Sequence, residues 1–159
     1  MNFFKILDLP SRLNLNLKEL EEKFYKASLK NHPDKNQGIA EATLRSAEIN
    51  EAYRTLKDKW KRAAYVLLSK GQSLDSKLPP SMAEIYFEAQ EVEDSQALVE
   101  LEKRLVKEDL AREERLQKSF EEFDTATDPL STLEEMKTLV IEHKYASSML
   151  RDLRTKLSK

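Results

Sequence analysis

Five prolines, at positions 10, 33, 79, 80 and 129, do most to limit what this chain can fold into. Proline lacks a backbone N–H and pushes the residue before it out of the α region, so none of these positions suits the interior of a regular helix. Between them, apolar residues recur at three- and four-residue steps, the period of an amphipathic helix. Only two glycines, Gly38 and Gly71, punctuate the intervening segments, and 35% of the residues are charged against 40% apolar. That balance suits solvent-exposed helices far better than a turn-rich β sandwich or barrel. The chain is expected to be all-α.

Asn2 stands as a cap before the short apolar face of Phe3, Phe4, Ile6 and Leu7, which Leu9-Pro10 should stop. Asn16, followed three residues later by Glu19, resembles a capping box. From there Leu17, Leu20, Phe24, Ala27 and Ser28 keep helical spacing up to Asn31, and His32-Pro33-Asp34 ends the helix. Asn36, Gln37 and Gly38 mark a loop. Ala40, Leu44, Ala47, Ala52, Tyr53, Leu56, Trp60, Ala63, Ala64, Leu67 and Leu68 then fit one long helix or two abutting ones, with Gly71 as the stop. Residues 73–81 read as a linker containing Pro79-Pro80.

Three further helices are expected at roughly 82–93, 95–125 and 130–157, the last two parted by Thr127-Asp128-Pro129. The candidate core sets Leu98, Leu101, Leu105, Leu110, Leu116 and Phe120 against Leu133, Met136, Val140, Tyr145, Met149, Leu153 and Leu157. The organisation is thus an N-terminal helical hairpin over residues 1–72, a linker at 73–81, and a C-terminal three-helix bundle over 82–159.

The net charge of −2 hides an asymmetry. Residues 1–75 carry 14 Lys and Arg against 10 Asp and Glu, and residues 76–159 carry 13 against 19. Two modules meeting different partners would show this pattern, and neither is basic enough to suggest nucleic acid. The chain contains no cysteine, which removes disulfides, thiol catalysis and thiolate metal sites. Asp8 interrupts the opening residues too soon for a secretory signal, and no run reaches the roughly 18 apolar residues of a membrane span. A cytoplasmic protein is expected.

His32-Pro33-Asp34 presents an imidazole and a carboxylate on a turn whose φ is fixed by proline. The helix leading into it carries Lys23, Lys26 and Lys30 at i, i+3 and i+7, with Lys35 just beyond. Alone, the tripeptide reads as a helix stop and the lysines as a solvated face. Together they form a basic stripe ending in an exposed carboxylate, suited to an acidic surface that also offers an arginine. An enzyme using His32 and Asp34 as acid and base would need a nucleophile, an oxyanion site or a phosphate-binding glycine loop, and the sequence shows none of them. His32 and His143 alone make no metal site. A helical adaptor whose long helices, such as Glu100 to Arg115, simply pair with another protein is the remaining alternative.

Residues 1–70 resemble the J-domain family. The resemblance lies in Phe4-Lys5-Ile6-Leu7 before Pro10, Phe24 and Lys26, His32-Pro33-Asp34-Lys35-Asn36, and Ile49-Asn50-Glu51-Ala52-Tyr53-Arg54-Thr55-Leu56, in that order. It implies a domain that stimulates the ATPase of a DnaK-type chaperone, with hydrolysis on the partner and no cofactor of its own. Asp34 would then pair with a chaperone arginine, His32 and Pro33 would fix the turn, and Tyr25, Lys26, Lys30 and Lys35 would meet an acidic surface. Asn31 departs from the tyrosine usual in that family.

The apolar continuation Arg62-Ala63-Ala64-Tyr65-Val66-Leu67-Leu68 is similar to HscB-type co-chaperones of iron–sulfur assembly, as is the layout of J-domain, linker and three-helix domain. This resemblance implies an HscA-like chaperone and an IscU-type iron–sulfur scaffold protein as partners. The scaffold would bind an apolar patch bordered by carboxylates, carried over here to Ile85, Tyr86, Phe87 and Glu91, with Ile141 and Tyr145 on the final helix. A J-protein serving a different client is the alternative within this reading.

Overall fold

The structure, a computed structural model, describes residues 1–35 and 40–159, so the loop expected at Asn36, Gln37 and Gly38 lies outside it. The described residues are all-α: α1 (Phe3–Ile6), α2 (Leu17–Lys30), a 3-10 turn (Pro33–Lys35), α3 (Ala40–Lys57), α4 (Lys59–Ser69), α5 (Pro80–Glu91), α6 (Ser95–Thr125) and α7 (Leu130–Leu157). They divide into two compact units, Met1–Val66 and Leu67–Lys159, with the division falling inside α4.

In the first unit α1 and α2 both pack on α3. Phe4, Leu7, Leu13, Leu20, Ile49, Ala52 and Leu56 are buried. The Phe24 ring stacks on Tyr53 at 4.1 Å between centroids, fastening α2 to α3, and Phe3 stacks on Tyr65 at 4.5 Å. The Tyr65 hydroxyl accepts from the Phe3 N–H at 3.0 Å and donates to the Met1 carbonyl at 3.3 Å, which pins the chain start to α4.

Helix ends follow local chemistry. Asn2 caps α1 by accepting from the Lys5 N–H, and Asn16 caps α2 by accepting from the N–H groups of Lys18 and Glu19. α1 closes before the expected Leu9-Pro10 stop. Leu9 N–H donates to the Phe4 carbonyl at 2.8 Å and Asp8 N–H to the Lys5 carbonyl at 3.2 Å. This is a Schellman closure, with Asp8 in the left-handed region at φ 50°. Aspartate tolerates that conformation better than most residues. Gly71 closes α4 the same way at φ 77°. The stretch that allowed one helix or two is two, because the Asp58 side chain accepts from the Lys61 N–H at 3.0 Å and starts α4. Buried Arg62 donates to the Leu56 carbonyl at 2.7 Å, closing the end of α3.

In the second unit α6 and α7 pack along each other and α5 packs on α7. Met82, Ile85, Ala89, Leu98, Leu101, Leu105, Ala146, Met149 and Leu153 form one buried cluster, with Tyr145 and Leu157 partly buried against it. One expectation about the core is corrected here. Leu110 is exposed, because the buried stride of α6 runs Leu98, Leu101, Leu105, Arg112, Leu116, Ser119, Phe120 and leaves position 110 on another face. Leu17, Leu44 and Leu68 are likewise exposed.

Arg112 takes the core-facing position instead, and its charge is answered by Glu142. Nε donates to Glu142 Oε2 at 3.2 Å and Nη2 lies 3.1 Å from Met82 Sδ. Nη1 is buried without a hydrogen bond, 3.7 Å from Asp109 Oδ1. An interior guanidinium persists only when paired in this way. No helix among the described residues is long and apolar enough to cross a membrane.

Leu105 is fully buried in the α5–α7 cluster. Leu105→Ala is expected to destabilise the protein by about 3 kcal/mol through lost burial and the residual cavity, measured by urea unfolding followed by circular dichroism.

Candidate functional site

The last turn of α2 sets the geometry of the site. Asn31 ends the helix, with its backbone N–H at 3.1 Å and its side-chain Nδ2 at 2.8 Å both donating to the Ala27 carbonyl. The polar side chain at this position therefore closes a helix carbonyl. The chain then enters the turn, where the Lys35 N–H donates to the His32 carbonyl at 3.0 Å. The Asp34 N–H donates to His32 Nδ1 at 3.3 Å. The same Nδ1 lies 3.5 Å from Asp34 Oδ2, so both the backbone and the side chain of Asp34 approach the ring. His32 braces the backbone and leaves the Asp34 carboxylate 85% exposed. The turn also packs on α3.

The lysine stripe of α2 lines one wall of an open groove. Lys23, Lys26, Ala27, Lys30 and Asn31 of α2 face Lys5 to Asp8 from the region of α1, and Arg45, Glu48 and Ile49 of α3. Asp8 is committed to Lys23 in a close ion pair. Lys5, Lys26, Lys30 and Arg45 line the same groove as Glu48, which gives it a net positive rim over the buried Leu7 and Ile49. Lys5 and Arg45 escaped the sequence reading because each is an isolated cation there, brought to the groove only by the packing of α1 and α3.

Tyr25 is exposed but lies about 100° around the helix from Lys26. It shares its face with Leu29, also exposed, one turn further on. Leu29 was legible as an apolar residue opposite the inward stripe of buried Leu20 and half-buried Phe24 and Ala27. A partner touching both Tyr25 and the lysines must wrap the outer flank of α2. Lys35 is exposed beside the turn.

On the second unit the six expected client residues separate. Ile85 and Ile141 are buried, which corrects their assignment to an accessible patch: α5 turns Ile85 inward with Met82 and Ala89 at helical spacing. Phe87 is exposed, and Tyr86 is half-buried with its ring edge-on to Phe87 at 5.9 Å and to Tyr145 at 6.5 Å. Tyr145 also donates to the Ser76 carbonyl at 3.1 Å. Glu91 is exposed, whereas Glu88 is engaged by Arg104 at 3.0 Å. The accessible surface is an aromatic ridge of Tyr86 and Phe87 with carboxylates beside it. No cluster of metal-ligating side chains occurs among the described residues.

Residues 2–65 match the family model of the DnaJ domain. The co-chaperone protein HscB homolog of Acinetobacter baylyi is 30% identical over 161 aligned residues, covering 96% of this chain and 94% of that protein. The HscB homolog of Acinetobacter baumannii is 37% identical over 87 residues, 55% of this chain and 49% of the relative. The chaperone protein DnaJ of Allorhizobium ampelinum is 60% identical over 48 residues, 30% of this chain and 13% of that protein. Among solved structures, chaperone HscB from Vibrio cholerae superposes with a TM-score of 0.67 at 21% identity, covering 98% of this chain and 96% of the other. That likeness establishes a shared fold.

The Lys23 ammonium holds the Asp8 carboxyl below its ordinary value of 3.8, chiefly by its hydrogen bond and then by its charge, with burial opposing slightly. The depressed value means that the pair's contribution to stability is present above pH 3.8 and is lost as pH falls through the lowered value. Lys23→Met is expected to return the Asp8 titration to the ordinary carboxylate range, read from its side-chain NMR shifts.

Proposed function

The chain belongs to the HscB-type J-domain co-chaperones, and from that membership we propose that it stimulates the ATPase of a DnaK-type, HscA-like chaperone in the cytoplasm and delivers an IscU-type iron–sulfur scaffold protein to it. The observation that carries the first half is the braced turn, an exposed Asp34 carboxylate three residues beyond Asn31, which lines the cationic groove. Such a surface fits an acidic chaperone face containing one arginine. Lys26, Lys30, Lys35 and Arg45 bring the partner in by long-range attraction, and Asp34 fixes the register. His32 and Pro33 hold the turn, and Tyr25 with Leu29 supplies apolar contact on the outer flank. No bond is made or broken on this chain, and hydrolysis occurs on the partner.

The second half rests on the aromatic ridge of α5. An exposed Phe87 beside a half-buried Tyr86 is the composition of an interface hot spot, and Glu91 supplies a carboxylate for a cationic neighbour. Ile85 belongs to the buried cluster against which Tyr86 packs, and Tyr145 flanks the ridge. In functional terms residues 1–72 act on the chaperone, 73–81 link, and 82–159 carry the client.

Asp34→Asn removes one charge from an exposed side chain whose backbone N–H makes the turn bond, so the helical circular dichroism is expected to stay unchanged. Loss of a charged hydrogen bond costs about 2 kcal/mol, roughly thirtyfold in docking affinity. Stimulation of the purified HscA-like chaperone in single-turnover ATPase assays should fall to background. Normal stimulation by this variant would overturn the docking mechanism.

Combined Tyr86→Ala and Phe87→Ala is expected to weaken scaffold binding in calorimetry by about 2 kcal/mol or more. Unchanged affinity in a folded double variant removes the ridge from consideration.

A further inference from the structure

The sequence of α5 does little to hold that helix in place. Helices of its 12 residues are marginal on their own, and α5 starts at Pro80 behind Pro79, which makes no side-chain cap. At its other end Val92 leaves in extended backbone. The inward grip is a narrow stripe of Met82, Ile85 and Ala89, with Tyr86 partly buried against the same cluster. A stripe of that width sets how deeply a helix sits but opposes rolling only weakly, because apolar contact is non-directional.

Side chains of α7 tether both ends. Lys156 Nζ donates to the carbonyls of Ala89, Gln90 and Val92, each at 3.2 Å. Carbonyls at a helix C-terminus are left without intrahelical partners and carry the negative end of its dipole, so an ammonium there is doubly favoured. At the N-terminal end Ser81 Oγ donates to Glu142 Oε1 at 2.6 Å. The other oxygen of Glu142 accepts from buried Arg112, which orients the carboxylate. These bonds are directional, and they act at opposite ends of the helix that carries Tyr86 and Phe87.

We propose that Lys156, acting with the Ser81–Glu142 bond, is a positioning residue for client recognition: it fixes the rotation of α5 on α7 and thereby the direction in which the Tyr86–Phe87 ridge faces. The inference rests on reading α5 as the client-binding helix. One residue of roll corresponds to about 100°, so a fraction of that step is enough to part Tyr86 from the edge of Tyr145 and turn Phe87 off the ridge. Recognition of the scaffold depends in this way on a lysine that does not belong to the recognised surface.

The test uses the full chain with Lys156→Met, which keeps an unbranched apolar stem and removes the donor, Lys156→Arg, which keeps charge and donors, and Ser81→Ala at the other end. Hydrogen–deuterium exchange follows the amides of Glu88 to Val92, and calorimetry measures binding to the purified IscU-type scaffold protein of the same organism. Lys156→Met is expected to raise exchange in that segment about tenfold and to weaken scaffold affinity five- to tenfold, with melting within a few degrees of the parent. Lys156→Arg should restore both, and Ser81→Ala should raise exchange in the first turn of α5. Unchanged exchange in Lys156→Met overturns the anchoring, and raised exchange with undiminished affinity overturns the role in recognition. Absence of scaffold binding by the parent chain overturns the client reading and the recognition role together, while the exchange result still decides whether Lys156 anchors α5.

Discussion

Every helix leaves up to four N–H groups and four carbonyls without partners at its ends, and the rest of this structure depends on how those ends are closed. α1 closes on Asp8 in a left-handed conformation, which holds the carboxylate where Lys23 reaches it. Asn31 closes α2 with both backbone and side chain and so fixes where the His32-Pro33-Asp34 turn begins. Asp58 and Arg62 close the junction of α3 and α4. Lys156 closes α5 from a different helix. In a chain with only two glycines the usual glycine closures are scarce, so polar side chains take over, and each becomes a fixed point around which a functional surface is built.

Charge is distributed in keeping with this arrangement. The first unit presents cations from three helices around one groove, and its acidic groups are partly absorbed, Asp8 by Lys23 and Glu21 by Tyr53 and Lys57. In the second unit carboxylates predominate, and several are taken up by internal pairs such as Glu135 with Arg115 and Glu102 with Arg154. Exposed pairs of this kind add little to stability. Their effect is to reduce the charge that stays free for partners, which leaves Asp34 on one unit and Glu91 on the other among the exposed carboxylates beside the proposed docking surfaces.

The turn was readable in sequence because its parts are contiguous: proline fixes one dihedral, the imidazole and carboxylate flank it, and the lysines recur at helical spacing. The basic groove was only half readable. Lys23, Lys26 and Lys30 share one helix face, whereas Lys5 and Arg45 join them from elements distant in sequence. The aromatic ridge of α5 was readable as a segment but not as a surface. Ile85, Tyr86 and Phe87 are consecutive, and which of them faces outward depends on the rotation of α5 on α7. Leu110 and Arg112 show the same limit, since residue type placed the leucine inside and helical stride placed the arginine there.

What the sequence determined by itself was local: the all-α class, the helix starts at Asn2 and Asn16, the breaks at Pro33 and Pro129, and the turn chemistry at His32-Pro33-Asp34. Each depends on backbone dihedrals and hydrogen bonds within a few residues. Tertiary structure alone decided which cations meet in one groove, that Ile85 and Ile141 are interior, that Glu142 answers a buried arginine, and that Lys156 ends a helix more than sixty residues away. The physical reason is that burial and long-range hydrogen bonding are properties of helix faces brought together by packing. A one-dimensional pattern specifies that such faces exist and leaves their pairing to the fold.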